Sequence, residues 1–470
     1  MKTQMESNRP QAISRQRRPF GMRDKIGYMF GDMGNDMFFA FIGGYLMLFY
    51  TDVAGIAGAT AGIILLVARV LDALFDVGWG AFVDSRKPGP RGKFRPYLLY
   101  SALPVTALGV LTFIALPHLS AGWRLAYAAV TYIVWGFAYS TINIPYGSLA
   151  SVITSDPVER TSLSTFRMLG ACIANLIILA AAPAILFSHG KTPTAGGFVT
   201  AAVLFAVMAI VFYFSAYALT TERVQPRKTT SHEQASLRSI VKSFMRNRSL
   251  LGLMLASFGL LVSSMLTSAL LPYLFKDYFH KPGLISLAGF MTMGAMLVVM
   301  PVLSPLVKRF GKKESSIGGL SIAVIVNAFL FMLPISNPYV YIALSFVSGM
   351  GMAFMNVIVW AMVSDCIDYH EYLTGKREEG TVYAVYSLMR KIGQAAAGGL
   401  GGGCLALIGY VSGADAQSAE VARGIKSAIT LVPALGSLLS LAAMLFIYHL
   451  TKSRVAELNK QLTKQREALR

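Results

Sequence analysis

The sequence predicts an all-α integral membrane protein whose chain crosses the bilayer twelve times. Of the 470 residues, 55% are hydrophobic and only 14% are charged, whereas soluble domains carry about a quarter charged residues. Twelve apolar segments also approach or exceed the roughly 20 residues that a helix needs to cross the hydrocarbon core. These segments lie near 27–50, 55–83, 97–117, 124–150, 162–188, 198–219, 248–275, 284–308, 315–334, 338–364, 380–411 and 425–450.

Basic residues in the connecting loops predict the orientation of the chain. The two tails, the central linker and the loops 84–96 and 308–313 are rich in Lys and Arg, whereas the loops 51–54 and 335–337 have none. Because cytoplasmic loops carry the excess of Lys and Arg, both termini are expected in the cytoplasm. The same bias accounts for the net charge of +19. Nucleic acid is not an expected partner, since no basic patch is interleaved with aromatic residues.

A polar stretch near the middle divides the chain into two halves of similar length. The predicted boundaries are a tail at 1–26, a half at 27–220, a linker at 221–247, a half at 248–450 and a basic tail at 451–470. The loop after the second helix reads Gly80-x-x-x-Asp84-x-Arg86, and a basic loop at 308–313 follows the eighth helix. This pattern resembles the loop signature of the major facilitator superfamily. The resemblance implies two six-helix halves around a midplane site.

Ionisable residues inside apolar helices are costly and usually face a cavity or a partner. In the first helix, Asp32 and Asp36 lie one turn apart; Asp32 could be interfacial, and Asp36 is deeper. In the second helix, Arg69, Asp72 and Asp76 line one stripe. Two carboxylates and one guanidinium leave one negative charge, so a proton or a sodium ion could bind there. The alternative is a structural ion-pair network.

The fourth helix combines hydroxyl and amide groups with a proline. Tyr139 and Asn143 share a face, Ser140 and Gly147 lie close to it, and Pro145 frees a backbone carbonyl and kinks the helix. This arrangement suits hydrogen bonding to a polyol. The alternative is polar packing between helices.

Three further basic residues lie inside predicted helices. Arg167 is alone in the fifth helix, whereas Arg390 and Lys391 in the eleventh are adjacent and therefore point in different directions. We expect Lys391 to face the cavity, because a run of small residues follows it. Arg390 is kept among the candidate substrate-binding residues, and Asn35 and Ser387 are added to them.

Charged residues cluster after the tenth helix, on the predicted cytoplasmic side. We interpret them, with two residues of the loop after the second helix, as a gate of salt bridges. The gate residues are Asp84, Arg86, Asp368, Glu371, Arg377 and Glu379. His370 beside Glu371 lacks the further ligands of a tetrahedral site, and the three cysteines are widely spaced. Neither a metal nor a cofactor is expected.

Several motifs resemble those of the glycoside–pentoside–hexuronide:cation symporters, and the resemblance covers nearly the whole chain. These motifs are Arg69-x-x-Asp72-x-x-x-Asp76, Asn143-Ile-Pro-Tyr-Gly-Ser-Leu, Asp368-Tyr-His-Glu-Tyr, Arg377-Glu-Glu-Gly and Arg390-Lys391. Within this family the chain looks most similar to the bacterial glucuronide permeases.

The resemblance implies roles for several residues. By similarity to the melibiose permeases, Asp72, Asp76 and Ser140 occupy cation-binding positions. Sugar-contacting or cavity-lining positions are occupied by Asp36, Asn143, Arg167 and Lys391. Two departures matter: Phe75 replaces an amide, which disfavours sodium, and Asn143 replaces an aspartate, which disfavours melibiose.

The expected function is inward symport of a glycoside, preferably a hexuronide such as a glucuronide, with a proton or sodium ion. In the predicted cavity the two cations Arg167 and Lys391 outnumber the single carboxylate Asp36, and this excess positive charge would favour an anionic sugar. If the two cations pair with Asp36 and the aspartates of the second helix instead, the pocket is neutral and suits a neutral glycoside or pentoside.

A membrane enzyme is disfavoured, because the helices hold no histidine at these sites and the chain has no nucleotide-binding motif. A transporter-like sensor and a lipid carrier remain as further alternatives. We expect a monomer in the bacterial cytoplasmic membrane.

Overall fold

A computed structural model describes residues 18–468 except 155, 189, 191, 224–246, 376–378 and 415. Regular structure in the described part is helical. The helices are α1 (Met22–Leu48), α2 (Gly58–Ser85), α3 (Arg95–Tyr100), α4 (Ala102–Thr112), α5 (Ala121–Ile153), α6 (Pro157–Leu186), α7 (Ala195–Leu219), α8 (Arg248–Tyr273), α9 (Ile285–Phe310), α10 (Lys312–Met332), α11 (Pro338–Thr374), α12 (Glu379–Leu407), α13 (Ala419–Ala442) and α14 (Lys452–Ala468).

Ten helical segments of the described chain are long and apolar enough to cross a membrane. They correspond to ten of the twelve predicted segments. The third predicted segment, 97–117, forms the two short helices α3 and α4, which meet at Ser101, and the eleventh, 380–411, forms the single helix α12. The prediction of an all-α, multi-pass membrane protein is therefore confirmed.

Among the described residues, the most extensive contacts between the halves run through three helix pairs. The helix α2 packs against α12, α1 against α8, and α6 against α9. One buried hydrophobic cluster includes the N-terminal half together with parts of α8, α10, α11, α12 and α13 near the loops at 279–284, 333–337 and 408–418. We call this end of the bundle the outer end, because the loop charges predict that it faces outside. A second cluster lies within the C-terminal half.

The pair α2–α12 approaches closely through glycines. A Cβ atom added to Gly62 would lie 2.8 Å from the Cα atom of Gly402, and one added to Gly58 would lie 2.8 Å from the Cβ atom of Leu405. Small residues let helix backbones pack at such short range, which is a common source of helix association in membranes. These glycines therefore determine how closely the two halves pack near the outer end.

Corresponding helices of the two halves end in the same way. The helix α1 continues into a π-helical turn at Phe49–Val53, and α8 continues into one at Leu274–Tyr278. Single π-helical turns often occur at functional positions. Here they bring Asp52 of the first half to Lys276 of the second, and the two side chains form an ion pair.

This ion pair belongs to a buried polar cluster at the outer end. The Tyr410 hydroxyl donates to Asp52 Oδ1 at 2.7 Å, and Lys276 Nζ donates to the Tyr410 oxygen at 3.1 Å. The hydroxyls of Thr51 and Tyr273 lie 2.8 Å apart. Within the described residues, α5 and α11 do not pack along each other. The halves are thus joined at the outer end in this conformation.

Candidate functional site

A cavity of about 280 Å³ lies between the two halves. The helices α1, α2, α5 and α6 form one wall, and α8 and α12 form the other. Its polar lining consists of Asp36, Arg69, Tyr132, Asn175, Ser264, Ser268 and Gln394. This central cavity is polar on both sides and can offer hydrogen bonds from each half to one small ligand.

The two carboxylates of α2, Asp72 and Asp76, are not among the residues that line this cavity, and they have different partners. Asp72 Oδ1 accepts a hydrogen bond from Ser140 Oγ at 2.8 Å, and Asp72 Oδ2 lies 3.8 Å from Arg69 Nη1. Asp76 Oδ2 forms an ion pair with Lys391 Nζ, whereas the buried Asp76 Oδ1 has no hydrogen-bond partner among the described residues. One free carboxylate oxygen is therefore held at the interface between the halves.

Lys391 changes the charge that the sequence predicts for this site. The stripe of α2 alone would carry one net negative charge, but Lys391 from α12 adds a positive one. The empty site is thus neutral, with two carboxylates and two cations. Lys391 is not among the residues that line the central cavity. The helical stripe could not reveal this neutrality, because the compensating charge comes from the other half.

Arg167 also differs from the expected placement. Its Nε atom donates to Asp32 Oδ1 at 2.9 Å, and its guanidinium lies 5.4 Å from the centre of the Tyr146 ring. Asp32 is buried within the protein, with 6% of its surface exposed. Neither Arg167 nor Asp32 lines the central cavity among the described residues. Asp36 does line it and accepts a hydrogen bond from Asn175 at 3.4 Å.

The polar residues of α5 mostly join helices. Asn35 Nδ2 donates to Asn143 Oδ1 at 3.4 Å, and the Tyr213 hydroxyl donates to Asn35 Oδ1 at 3.0 Å. Tyr139 is buried and stacks on Trp135 with ring centres 5.3 Å apart. This geometry matches the alternative of polar packing between helices. Asn35, Tyr139 and Asn143 are absent from the lining of the central cavity.

Gly147, the last of the predicted substrate-binding residues on α5, is exposed, and a Cβ atom added to it would meet nothing within 4 Å. Gly147 therefore makes no close helix contact within the described part of the chain, and it is not among the residues lining the central cavity.

A second cavity of about 100 Å³ lies within the C-terminal half, between α8, α11 and α12. Arg390 lines it, and its guanidinium lies 5.3 Å from the centre of the Trp360 ring. Ser264 lines both cavities, so the two spaces share a wall. Arg390 and Lys391 point in different directions, as the sequence predicts, and Arg390 is the one that lines a cavity.

The predicted gate can be placed only in part. Asp368 and Glu371 lie in the last two turns of α11, and Arg86 is exposed and stacks on Phe82, with its guanidinium 4.4 Å from the ring centre. Arg377 lies outside the described residues, as do the side chains of Asp84, Glu379 and Ser387 and most of the linker. Near this end, Lys312 Nζ donates to Asp365 Oδ1 at 2.7 Å within the C-terminal half.

Sequence reasoning missed the neutral polar residues of the central cavity. Ser264 and Ser268 are one turn apart on α8, and Gln394 lies one turn after Arg390 on α12. Their helical spacing within apolar segments was a usable signal. The described residues contain no cluster of three or more His, Cys, Asp or Glu side chains that could hold a metal ion.

Two six-helix halves around a charged central cavity define a secondary transporter of the major facilitator fold. The chain matches the family described as MFS/sugar transport protein over residues 27–452 and belongs to it. This is the family of glycoside–pentoside–hexuronide symporters, so the protein is a sugar or glycoside symporter and not an enzyme.

Individual relatives are similar over nearly their whole length. An uncharacterized symporter, YjmB, of Bacillus subtilis (strain 168) is 36% identical, covering 98% of this chain and 99% of the relative. A putative sulfoquinovose importer of Escherichia coli (strain K12) is 34% identical, with 94% and 95% covered. A glucuronide carrier protein homolog of the same strain is 33% identical, with 93% and 94% covered.

Among solved structures, that of a D-xylose–proton symporter superposes with a TM-score of 0.65 at 16% identity, covering 91% of this chain and 98% of that one. At this identity the comparison concerns the fold alone. It confirms the predicted major facilitator architecture.

Proposed function

We propose that the protein carries an anionic glycoside, of which a hexuronide such as a glucuronide is the preferred example, into the cell together with a proton. The observation that carries this proposal is a balance of charge. The eight ionisable side chains singled out within the helices are Arg69, Arg167, Arg390 and Lys391, and Asp32, Asp36, Asp72 and Asp76. These are four cations and four carboxylates, so the set as a whole is neutral when no ligand is bound.

This neutrality favours binding of two ligands of opposite charge. A proton alone would leave one excess positive charge inside the membrane, and an anionic sugar alone would leave one negative charge; each costs several kcal/mol, on the order of 3 by insertion scales. Together they keep the centre neutral. Each ligand therefore increases the affinity for the other, which is the thermodynamic basis of coupling. A neutral sugar would lack this compensation.

The proton is favoured over sodium by the surroundings of Asp76. Within the described part of the chain its Oδ1 atom is buried and has no hydrogen-bond partner, so it can accept a proton. Next to it in the chain, Phe75 stacks on Phe137 with ring centres 4.6 Å apart. An aromatic ring supplies no oxygen to replace the hydration shell that a sodium ion would have to lose.

Protonation of Asp76 also offers a link to conformational change. The ion pair between Asp76 and Lys391 joins α2 to α12 and thus one half to the other. A proton on Asp76 removes one partner of this pair and weakens the contact. Alternating access would then depend on which ligands are bound.

Relatives and dimensions agree with this substrate class. Two relatives are named for anionic sugars or glycosides, a sulfoquinovose importer and a glucuronide carrier homolog. The central cavity of about 280 Å³ is close to the lower limit of roughly 300 Å³ for drug-sized ligands, which suits a sugar better than a diacyl lipid. The alternative, a neutral glycoside or pentoside, draws support from the pairing of Arg167 with Asp32.

The test is uptake of radiolabelled phenyl glucuronide by purified protein in liposomes. We expect accumulation above equilibrium with an inward proton gradient at equal sodium, and strong inhibition by unlabelled phenyl glucuronide but weak inhibition by phenyl glucoside. Equal inhibition by both ligands would contradict the anionic substrate. Accumulation that needs a sodium gradient would contradict the proton. Both termini should also be accessible only from the cytoplasmic side in right-side-out vesicles.

A further inference from the structure

We propose that Arg390 and the cavity around it form a separate subsite for the anionic group of the substrate, a carboxylate or sulfonate, while the sugar ring occupies the central cavity. This inference rests on the proposed function and deepens it, since it assigns the recognition of charge to one residue. Of the four cations Arg69, Arg167, Arg390 and Lys391, Arg390 is the one for which the described chain provides no ionic partner.

The other three cations of the centre are already engaged. Arg69 lies 3.8 Å from Asp72, Arg167 lies 2.9 Å from Asp32, and Lys391 forms the ion pair with Asp76. A substrate anion that bound one of them would have to displace a carboxylate. Arg390 has no carboxylate within ion-pair distance among the described residues, so an anion can reach it without competition.

A cation–π contact with Trp360 helps to hold the Arg390 guanidinium. Its Cζ atom lies over the indole ring, 5.3 Å from the ring centre. A guanidinium carries five N–H donors in a fork geometry that matches two oxygens of one oxyanion. A guanidinium that is positioned by an aromatic ring and has no carboxylate partner among the described residues is suited to bind a carboxylate.

The other side chains that line the smaller cavity are uncharged and include both polar and apolar groups. Asn356 lines it with its amide, and the hydroxyls of Ser257 and Tyr386 lie 2.9 Å apart in its wall. Apolar side chains, among them Leu260 and Val359, complete the lining. One cation beside uncharged hydrogen-bonding groups fits an anion of single charge. A second anionic group would have no charged partner there.

The position of Arg390 on α12 connects the two cavities. Arg390, Gln394 and Ala397 follow a spacing of four and three residues, so they share one face of the helix. Gln394 and Ala397 line the central cavity, and Arg390 lies one turn, about 6 Å, further along the axis. On α8, Ser264 lines both cavities. The two cavities are therefore adjacent, and the proposal places the sugar ring in one and the anionic group in the other.

The experiment compares Arg390→Gln and Arg390→Lys with the unmodified protein. Thermal unfolding of the purified proteins is measured without ligand and with phenyl glucuronide, the corresponding 6-sulfonate and phenyl glucoside, because a bound ligand raises the apparent Tm. Arg309→Gln is the matched control. Arg309 also lies over an aromatic ring, with its Cζ atom 5.2 Å from the centre of the Phe310 ring, but it is exposed and lies at the end of α9, away from both cavities.

We expect all four proteins to unfold at similar temperatures without ligand. In Arg390→Gln the affinity for the anionic ligand should fall at least tenfold, whereas Arg390→Lys should keep part of it and Arg309→Gln all of it. The two anionic ligands are compared by the rise in Tm that each causes in the unmodified protein. The larger rise shows whether the subsite prefers a carboxylate or a sulfonate. If Arg390→Gln folds and still binds the anionic ligand as the unmodified protein does, the subsite is overturned, while the proposed function stands. If the unmodified protein does not distinguish the charged from the neutral glycoside, the proposed function fails first.

Discussion

Lys391 of α12 forms an ion pair with Asp76 of α2, and this contact spans the interface between the two halves of the transporter. The second oxygen of this carboxylate is buried and has no hydrogen-bond partner among the residues that the structure describes. One residue thus combines a place for a proton with a contact that holds the halves together. Coupling in this protein can be tested directly at that pair.

Asp76→Asn should abolish accumulation of substrate against its gradient, because an amide cannot exchange a proton. Exchange of internal for external substrate should persist, since it needs no net proton movement. Both are measured with radiolabelled glycoside in liposomes. The double variant Asp76→Asn/Lys391→Gln should exchange faster than the single one, because it removes the unpaired lysine. Normal accumulation in Asp76→Asn would show that the proton binds elsewhere.

Phe75 should determine which ion drives transport. In the unmodified protein we expect uptake to follow the proton gradient and to be indifferent to sodium. Phe75→Gln adds an amide oxygen one turn after Asp72 on α2 and should introduce stimulation by sodium. Phe75→Leu, which adds no oxygen, is the control and should not respond. Uptake by each variant is followed at constant pH over a range of sodium concentrations. Sodium dependence in the unmodified protein would refute this interpretation of Phe75.

Lys276→Ala should open the outer end of the bundle. The variant leaves Asp52 buried without its cation, and breaking a buried pair in this way costs about 3–5 kcal/mol. That cost falls on the conformation in which the outer ends are joined. A cysteine introduced at Ser268, in the central cavity, should then react several-fold faster with a charged thiol reagent added from outside, in a background without native cysteines. Tyr410→Phe removes one hydrogen bond to Asp52 and should have a smaller effect. Unchanged reactivity in Lys276→Ala would mean that other contacts close this end.

Gly402→Leu should separate α2 from α12. A Cβ atom at Gly402 would clash with the backbone of Gly58 and Gly62, whereas one at the adjacent Gly403 would meet nothing within 4 Å. Overpacking of this kind costs about 1–3 kcal/mol. We therefore expect a lower Tm and loss of transport in Gly402→Leu, and neither change in the matched control Gly403→Leu. Equal Tm values for the two variants would contradict the close contact of these helices.

The membrane character and the helical content follow from the sequence alone. Apolar segments of about 20 residues leave no other stable arrangement, because backbone polar groups in the bilayer must bond within the helix. The shared stripe of Arg69, Asp72 and Asp76 also follows from helical periodicity. The same holds for the divergence of Arg390 and Lys391, since neighbouring residues on a helix point about 100° apart.

The partner of each charge was decided only by the tertiary structure. Periodicity shows which residues of one helix share a face, but not how each helix is rotated relative to the others. For this reason the sequence could not show that Lys391 binds Asp76, that Arg167 binds Asp32, or that Arg390 is left to line a cavity. Asp52 and Lys276 were overlooked for the same physical reason: each lies at the end of its own helix, where a charge is ordinary, and they become a buried pair only when the two halves pack together.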